Sequence, residues 1–323
     1  MDIPPRGRRR LWRRRAARSD PPRACATPFT GSGTHEQEER RSFTLLITPT
    51  LVVLLLITVF PLFFSLVKAF HFYVLFKPQA EHFVGFSNFQ QQLDDETTIT
   101  AFRTTVVYTV ISVGVELILG FLLALLFSSP LYGAGPLRTL LIIPILMSPI
   151  VVGLEWRFMY NPEIGIIDQA LQLIGLPGPH WLEDPRLAFW AVMAPDVWQW
   201  TPFVALVLLA GLQSIAPEIQ EAAVLDGLRL RHMVRYIYLP LLIPVLTVVV
   251  LLRVIDGLRT FDVVYTLTQG GPGLATMLLS IRTWTVGLIN LNFGQASALS
   301  YLIVILSSVF ATVFLSLIYR RSA

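Results

Sequence analysis

Two apolar stretches of the chain each carry a stripe of polar and aromatic side chains at helical spacing. The first stripe, at positions i, i+3, i+4 and i+7, consists of Asp196, Gln199, Trp200 and Phe203. The second repeats this spacing with Arg253, Asp256, Gly257 and Thr260. Carboxylates, an amide, a guanidinium and aromatic faces together suit a sugar, because hydroxyls need hydrogen bonds from several directions and rings cover C–H patches. We predict that the polar and aromatic members bind such a ligand.

A structural interpretation of the same residues stays open. Asp196 and Asp256 could cap helices broken near Pro195, or pair with an arginine across a helix bundle without any ligand. Three further charged residues in apolar stretches are predicted to make interhelical contacts of a structural kind. They are Glu116, Glu155 and Arg157.

The sequence contains no recognisable catalytic centre. The glycine-rich stretch GGPGLAT at 270–276 lacks the lysine of a phosphate-binding loop, and no nucleophile elbow or kinase motif is present. The five histidines show no metal-binding spacing, and Cys25 is the single cysteine. We predict no enzymatic activity, no cofactor or metal in this chain, and no nucleic-acid partner.

The composition is typical of a protein embedded in a bilayer. Hydrophobic residues make up 54% of the chain and charged residues 14%, with a mean hydropathy of +0.62. A helix needs about 20 apolar residues to cross the hydrocarbon core. Six stretches qualify, which predicts an all-α bundle of six transmembrane helices. They are Phe43 to Ala69, Thr100 to Phe127, Leu137 to Tyr160, Leu187 to Leu212, Ile237 to Thr260, and Ala296 to Tyr319.

The amino-terminal stretch, 1–41, is polar and carries eleven arginines. It has no apolar run of the length that a secretory signal requires. We predict a disordered cytoplasmic tail that contacts anionic membrane lipid. An organellar transit peptide and a later true start are the alternatives, and the permeating bundle is predicted to occupy 42–323.

Basic residues orient the predicted helices. With the amino terminus in the cytoplasm, 17 of the 25 lysines and arginines fall in cytoplasmic segments. Both termini, and the segment 213–240 between the fourth and fifth helices, are therefore predicted to face the cytoplasm. We call 213–240 the connecting segment.

The connecting segment is predicted to contain a bent pair of helices. Pro217 and the acidic residues after it favour a helix start, and Gly227 favours a stop before a second short helix at 228–236. One face of the first helix presents Glu221, Ala222, Val224 and Leu225. This face could dock on another protein, or the segment could be an ordinary loop with solvated charges.

The connecting segment resembles the EAA loop of the membrane subunits of binding-protein-dependent ABC importers. The matching features are EAA at 221–223, DG at 226–227, Ile237, and Leu239 with Pro240. The chain departs from the motif at Leu228, where a small residue is usual, and at Val234, where an aromatic is usual.

Further motifs are similar to those of permeases of the carbohydrate-uptake class, the relatives of maltose, trehalose and glycerol-phosphate importers. They are FVGFSNF at 83–89, RTLLIIP at 138–144, VWQWTPF at 197–203, AGLQSIAPEIQEAAVLDG at 210–227 and FDVVYTLTQGGP at 261–272. The first and last of these resemble the first of the two permeases in such systems.

This resemblance implies an ABC importer type I permease fold in a prokaryotic cytoplasmic membrane. It implies four kinds of partner: a second permease, two ATPase subunits that bind ATP and Mg, an extracytoplasmic sugar-binding protein, and the sugar. The family's ATPase contacts match Glu221, Ala222, Ala223, Asp226 and Gly227. Its sugar contacts match Asp196, Gln199, Trp200, Phe203, Asp256 and Thr260.

Three alternatives remain at this point. An ABC importer permease for a noncarbohydrate solute would share the connecting segment. An ion-driven secondary transporter would work without nucleotide, and a polytopic membrane enzyme would need a catalytic constellation that the sequence does not show.

Overall fold

The computed structural model describes residues 32–128 and 134–322. The chain divides into two units, Met1–Val59 and Phe60–Ala323. The α-helices are α1 Ser32–Ala69, α2 Ser87–Asp94, α3 Glu96–Ser128, α4 Ala134–Leu146, α5 Pro149–Met159, α6 Ile166–Leu173, α7 Pro185–Gln213, α8 Pro217–Leu225, α9 Leu230–Met233, α10 Leu239–Gly257, α11 Asp262–Thr268, α12 Leu279–Trp284 and α13 Phe293–Ser322. Two π-helical turns, Val234–Tyr238 and Thr285–Ile289, lead into α10 and out of α12.

A short β-hairpin follows α1. Strands β1, His71–Phe72, and β2, His82–Phe83, pair antiparallel, and a 3₁₀ turn at Pro78–Ala80 lies between them. Helix α7 begins at a regular N-cap, where the Asp184 carboxylate accepts hydrogen bonds from the next free backbone N–H groups.

Five helices in the described part of the chain are long and apolar enough to cross a membrane. They lie at Ile47–Ala69, Glu96–Ser128, Pro185–Gln213, Leu230–Gly257 and Phe293–Ile318. These match five of the six predicted spans, and the all-α membrane bundle is confirmed.

The remaining span differs from the prediction. The sequence predicts one helix over 137–160, but α4 and α5 meet at an angle of 99°. Ser148 has extended backbone angles and precedes Pro149, which lacks an N–H and disfavours a helical residue before it. The third predicted span is therefore not one continuous helix but a bent pair, either a broken span or a re-entrant loop.

Two predicted boundaries also need correction. Residues 1–31 of the predicted disordered tail lie outside the described part of the chain, but 32–41 are helical and begin α1. Adding residues to an existing helix needs no new nucleus, so a long span extends readily into adjoining polar residues. In the connecting segment, the second arm is not a separate helix at 228–236, because α9 continues through a π-helical turn into α10 as one span from Leu230.

The core of the second unit forms around the contact between α3 and α7. Gly120 of α3 lies so close to α7 that a Cβ atom there would stand 2.6 Å from Val204 Cγ1 and 3.0 Å from the Ala205 backbone nitrogen. Val204 and Leu208 belong to one buried cluster that also includes residues of α10 and the connecting segment. A second buried cluster joins α3 and α7 to α5, α11 and α12.

We expect Gly120→Ala to lower the free energy of unfolding by about 1–3 kcal/mol, because the added methyl group overpacks the α3–α7 contact. Thermal unfolding of the purified transporter in detergent measures this change. Gly114→Ala is the matched control, because a Cβ at Gly114 of the same helix meets no atom within 4 Å. Equal stability of the two variants would contradict the close approach of α3 and α7.

Candidate functional site

Arg253 of α10 stands at the centre of a buried charged cluster. Its side chain is only 2% exposed. Its Nε donates to Glu116 Oε2 at 2.7 Å and its Nη2 donates to Glu116 Oε1 at 2.8 Å. Glu116 lies on α3 and is fully buried. The two parallel hydrogen bonds form a bidentate ion pair, the geometry in which guanidinium and carboxylate interact most strongly.

Two further carboxylates surround the same guanidinium. Arg253 Nη1 donates to Asp256 Oδ2 at 2.5 Å, and Nη2 lies 4.0 Å from Asp196 Oδ1. Asp196 is buried on α7, whereas the Asp256 side chain is 54% exposed. Arg253 Cζ also lies 4.5 Å from the centroid of the Trp200 ring, a cation–π contact. Side chains from α3, α7 and α10 thus surround the guanidinium of Arg253.

Several buried polar atoms near this cluster lack hydrogen-bond partners in the described structure. Asp196 Oδ2 and Gln199 Oε1 are among them, as is the Thr109 hydroxyl. The Tyr108 hydroxyl lies within reach of both the Val192 carbonyl, at 3.4 Å, and the Asp196 carboxylate. Unpaired buried oxygens are costly, so these atoms are positions at which a ligand or a bound water could donate hydrogen bonds.

The structure brings together four predicted site residues: Asp196, Trp200, Arg253 and Asp256. Phe203 stands edge-on to Trp200, with ring centroids 6.3 Å apart. The Thr260 hydroxyl is 3.5 Å from the backbone carbonyl of Asp256. Phe203 is thus joined to the cluster through Trp200 and Thr260 through the backbone of Asp256, and the contact of these residues with a ligand stays a prediction.

Gln199 has a different position from the one that its stripe suggested. Its Nε2 donates to the carbonyl of Met147 at 2.9 Å. Met147 lies at the break between α4 and α5, where a backbone carbonyl loses its helical partner. One N–H of the Gln199 amide therefore contacts the backbone between α4 and α5, and its buried carbonyl oxygen has no hydrogen-bond partner in the described structure.

The pairing of Asp196 with an arginine across the helix bundle, which was one of the two interpretations of the sequence, is present, whereas Asp256 pairs with the same arginine within α10. Neither residue caps a helix start, because both lie inside regular helices.

The predicted interhelical contact of Glu116 is also present, but its partner is Arg253, so Glu116 belongs to the cluster. The feature of the sequence that indicated a role for Glu116 in the cluster was a single carboxylate in a long apolar helix. Arg157 donates to the Thr266 carbonyl at 3.2 Å, and Glu155 is exposed.

The connecting segment turns as the sequence predicts. Gly227 has a φ of +71°, which favours glycine. The N–H of Gly227 donates to the Val224 carbonyl and the N–H of Leu228 donates to the Ala223 carbonyl, each at 3.0 Å. This pair of hydrogen bonds is a Schellman motif that ends α8.

The predicted contact residues of this segment do not share one surface. Glu221, Ala222, Asp226 and Gly227 are exposed. Ala223 is only 4% exposed and packs in the chain's own core. Beside the exposed group, Val224 and Leu225 are uncovered, Leu225 at 86%. The segment thus presents an acidic and aliphatic surface, and Ala223 anchors it to the bundle.

Comparison with known proteins gives this geometry a family. Residues 116–323 match the model of the binding-protein-dependent transport system inner membrane component. The chain belongs to this family. The matched range begins at Glu116 and contains both the charged cluster and the connecting segment. The predicted resemblance to ABC importer permeases is confirmed.

Individual relatives are similar over most of their length. The chain is 38% identical to the trehalose/maltose transport system permease protein MalF of Thermococcus litoralis over 274 residues, covering 84% of this chain and 91% of that protein. It is 30% identical to the trehalose transport system permease protein SugA of Mycobacterium tuberculosis over 295 residues, covering 91% and 94%. A solved structure titled as a bacterial ABC transporter involved in the import of the acidic polysaccharide alginate matches with a TM-score of 0.76 at 21% identity, covering 89% of this permease and 99% of that chain.

Family membership places the permease in a membrane and describes a transport subunit. In the described part of the chain, no group of three or more histidine, cysteine, aspartate or glutamate side chains has metal-binding geometry.

We expect Arg253→Ala to lower the free energy of unfolding by about 3–5 kcal/mol, because it leaves the Glu116 carboxylate buried without a partner. Thermal unfolding of the purified transporter gives the loss. The double variant Glu116→Gln with Arg253→Met removes both charges and should lose clearly less. Arg259→Ala, at an exposed position past the end of α10, is the surface control. A double variant as unstable as the single one would show that the ion pair is not what holds the helices.

Proposed function

We propose that this permease is one of two different membrane subunits of an ATP-driven, binding-protein-dependent sugar importer. It forms half of the translocation pathway and works by alternating access. Two kinds of support point to a sugar: the names of the relatives MalF and SugA, and the combination of an aromatic face with half-exposed carboxylate at Trp200 and Asp256. These favour a sugar over a noncarbohydrate solute, and family membership disfavours an ion-driven transporter.

One observation carries the mechanism: the connecting segment shares a core with the helices that hold the candidate site. Ala223, Met233 and Tyr238 lie in the same buried cluster as Leu208 of α7 and Leu242 of α10. Because packed cores resist deformation, a displacement of the segment moves these helices with it. α7 carries Asp196 and Trp200, and α10 carries Arg253 and Asp256.

The proposed partners follow from this arrangement. Two ATPase subunits bind ATP and Mg, and one of them receives the exposed surface around Glu221 and Leu225. An extracytoplasmic binding protein delivers the sugar, and a second permease completes the pathway. The excess of basic residues in the predicted inner segments supports an orientation with both termini and the connecting segment in the cytoplasm of a prokaryote.

In this mechanism, closure of the ATPase pair displaces the connecting segment. Because they share a core with it, α7 and α10 then rock together with the segment. The site then opens alternately to the binding protein and to the cytoplasm. The permease supplies hydrogen-bonding groups and rigid helices, while the hydrolysis of ATP takes place in the partner.

We expect Glu221→Lys and Leu225→Asp each to lower ATP-dependent sugar uptake by about tenfold or more, because interface residues of this kind contribute about 2 kcal/mol or more to docking. Uptake into proteoliposomes that contain the whole transporter measures the loss. Stability should change by less than about 0.5 kcal/mol, since both side chains are exposed. Glu163→Lys, between α5 and α6, is the matched control. Normal uptake in both variants would exclude this surface as the ATPase contact.

We expect Trp200→Ala to raise the sugar concentration that gives half-maximal uptake by about tenfold, because loss of ring contact costs about 1.4 kcal/mol. Trp200→Phe should raise this concentration by less than Trp200→Ala does. Trp190→Ala tests a second, exposed tryptophan of the same helix and should leave this concentration unchanged. An unchanged value in Trp200→Ala removes the ring from the sugar site.

A further inference from the structure

The charged cluster contains more negative than positive groups. Glu116, Asp196 and Asp256 face one guanidinium, that of Arg253, which makes the formal charge of the cluster −2. The next basic side chain along the chain after Arg253 is Arg259. It lines a separate cavity of about 800 Å³ with Ser280 and Trp284, which Asp256 does not line, and no ion pair joins it to Asp256 in the described structure.

The cluster's cation is not available to a ligand. Two nitrogens of Arg253 bind Glu116, the third binds Asp256, and one face of the guanidinium lies against Trp200. Its side chain is almost completely buried. A carboxylate, phosphate or sulfonate on a sugar therefore finds no free guanidinium here.

The charged group of the cluster that remains exposed is a hydrogen-bond acceptor. The half-exposed carboxylate of Asp256 uses Oδ2 for Arg253. Asp196 Oδ2 and Gln199 Oε1 have no hydrogen-bond partner among the described residues, but both atoms are buried. Sugar hydroxyls can donate to the exposed carboxylate of Asp256, whereas a carboxylate, phosphate or sulfonate group carries only acceptors and is repelled by the surplus negative charge, most strongly in a medium of low dielectric constant.

The fold does not by itself decide the charge of the solute. Among the similar proteins, one is named for trehalose and maltose, which are neutral, and one structure is titled for an acidic polysaccharide. The local balance of charges in the pathway is one feature that can make the difference. In this chain, Glu116 sets that balance from α3, because it takes Arg253 out of reach of a ligand.

We infer that this permease is selective for uncharged sugars, and that Glu116 determines this selectivity by pairing with Arg253 and leaving the half-exposed carboxylate of Asp256 to face the pathway. Glu116 itself is buried, so it acts as a positioning residue. The inference rests on the proposed sugar-import function.

The test uses the whole transporter, with its partner subunits and binding protein, in proteoliposomes. The probes are an equimolar mixture of maltose, trehalose and a singly charged uronate of each disaccharide. Mass spectrometry of the vesicle contents gives the ratio of neutral to anionic sugar imported in an ATP-dependent manner. We expect the unmodified transporter to favour the neutral sugars by about tenfold or more.

Two variants assign the discrimination to the cluster. Asp256→Asn removes a negative charge at a half-exposed position, and Glu116→Gln releases the guanidinium. Each should lower the ratio at least threefold, a change that a general loss of structure does not produce. Glu155→Gln, at an exposed position on α5, is the matched control and should keep the original ratio. Should Glu116→Gln fail to assemble, Asp256→Asn carries the test alone.

The opposing outcomes are distinguishable. Import of uronates as fast as the neutral sugars overturns the selectivity and leaves sugar import intact. An unchanged ratio in Asp256→Asn that still transports assigns the discrimination to the binding protein and also overturns the inference. If the transporter imports none of the four sugars, the proposed function itself fails, and the inference fails with it.

Discussion

A guanidinium buried among apolar helices must be compensated by carboxylates, because desolvating an isolated charge costs more than a membrane protein's net stability can offset. In this permease the compensation comes from three helices at once. Glu116 of α3 binds Arg253 in a bidentate manner, Asp256 binds it from its own helix, and Asp196 approaches from α7. The bidentate pair is directional, so it constrains the position of α10 against α3 as well as neutralising charge.

The same helices connect this cluster to the surface that meets the ATPase in the proposed mechanism. Their common core extends to Ala223, which ties α8 to the bundle, while the neighbouring Leu225 remains uncovered. Ala223 of the EAA motif thus packs in the chain's own core, whereas the residues that follow it, such as Leu225, are exposed on the surface. This division explains how a short segment can be held rigidly and still offer a docking surface.

A second link runs from the cluster region to the break between α4 and α5. Gln199 stands three residues from Asp196 on α7 and donates to the carbonyl that the α4–α5 break leaves free at Met147. The break therefore lies against the helix that carries Trp200 and Asp196. Backbone that departs from a helix at membrane depth is tolerated where protein groups satisfy it, and Gln199 supplies such a group.

The amino-acid sequence by itself determined which stretches cross the membrane, where α8 ends, and which family the chain belongs to, because hydropathy, a glycine stop and the EAA motif are local features. Only the tertiary structure decided which partner Arg253 takes, since Glu116 lies 137 residues away along the chain. It also decided which proline breaks a span. Pro195, Pro202 and Pro244 remain inside helices, whereas Pro149 follows a break, and this difference depends on neighbouring helices that a local pattern does not contain.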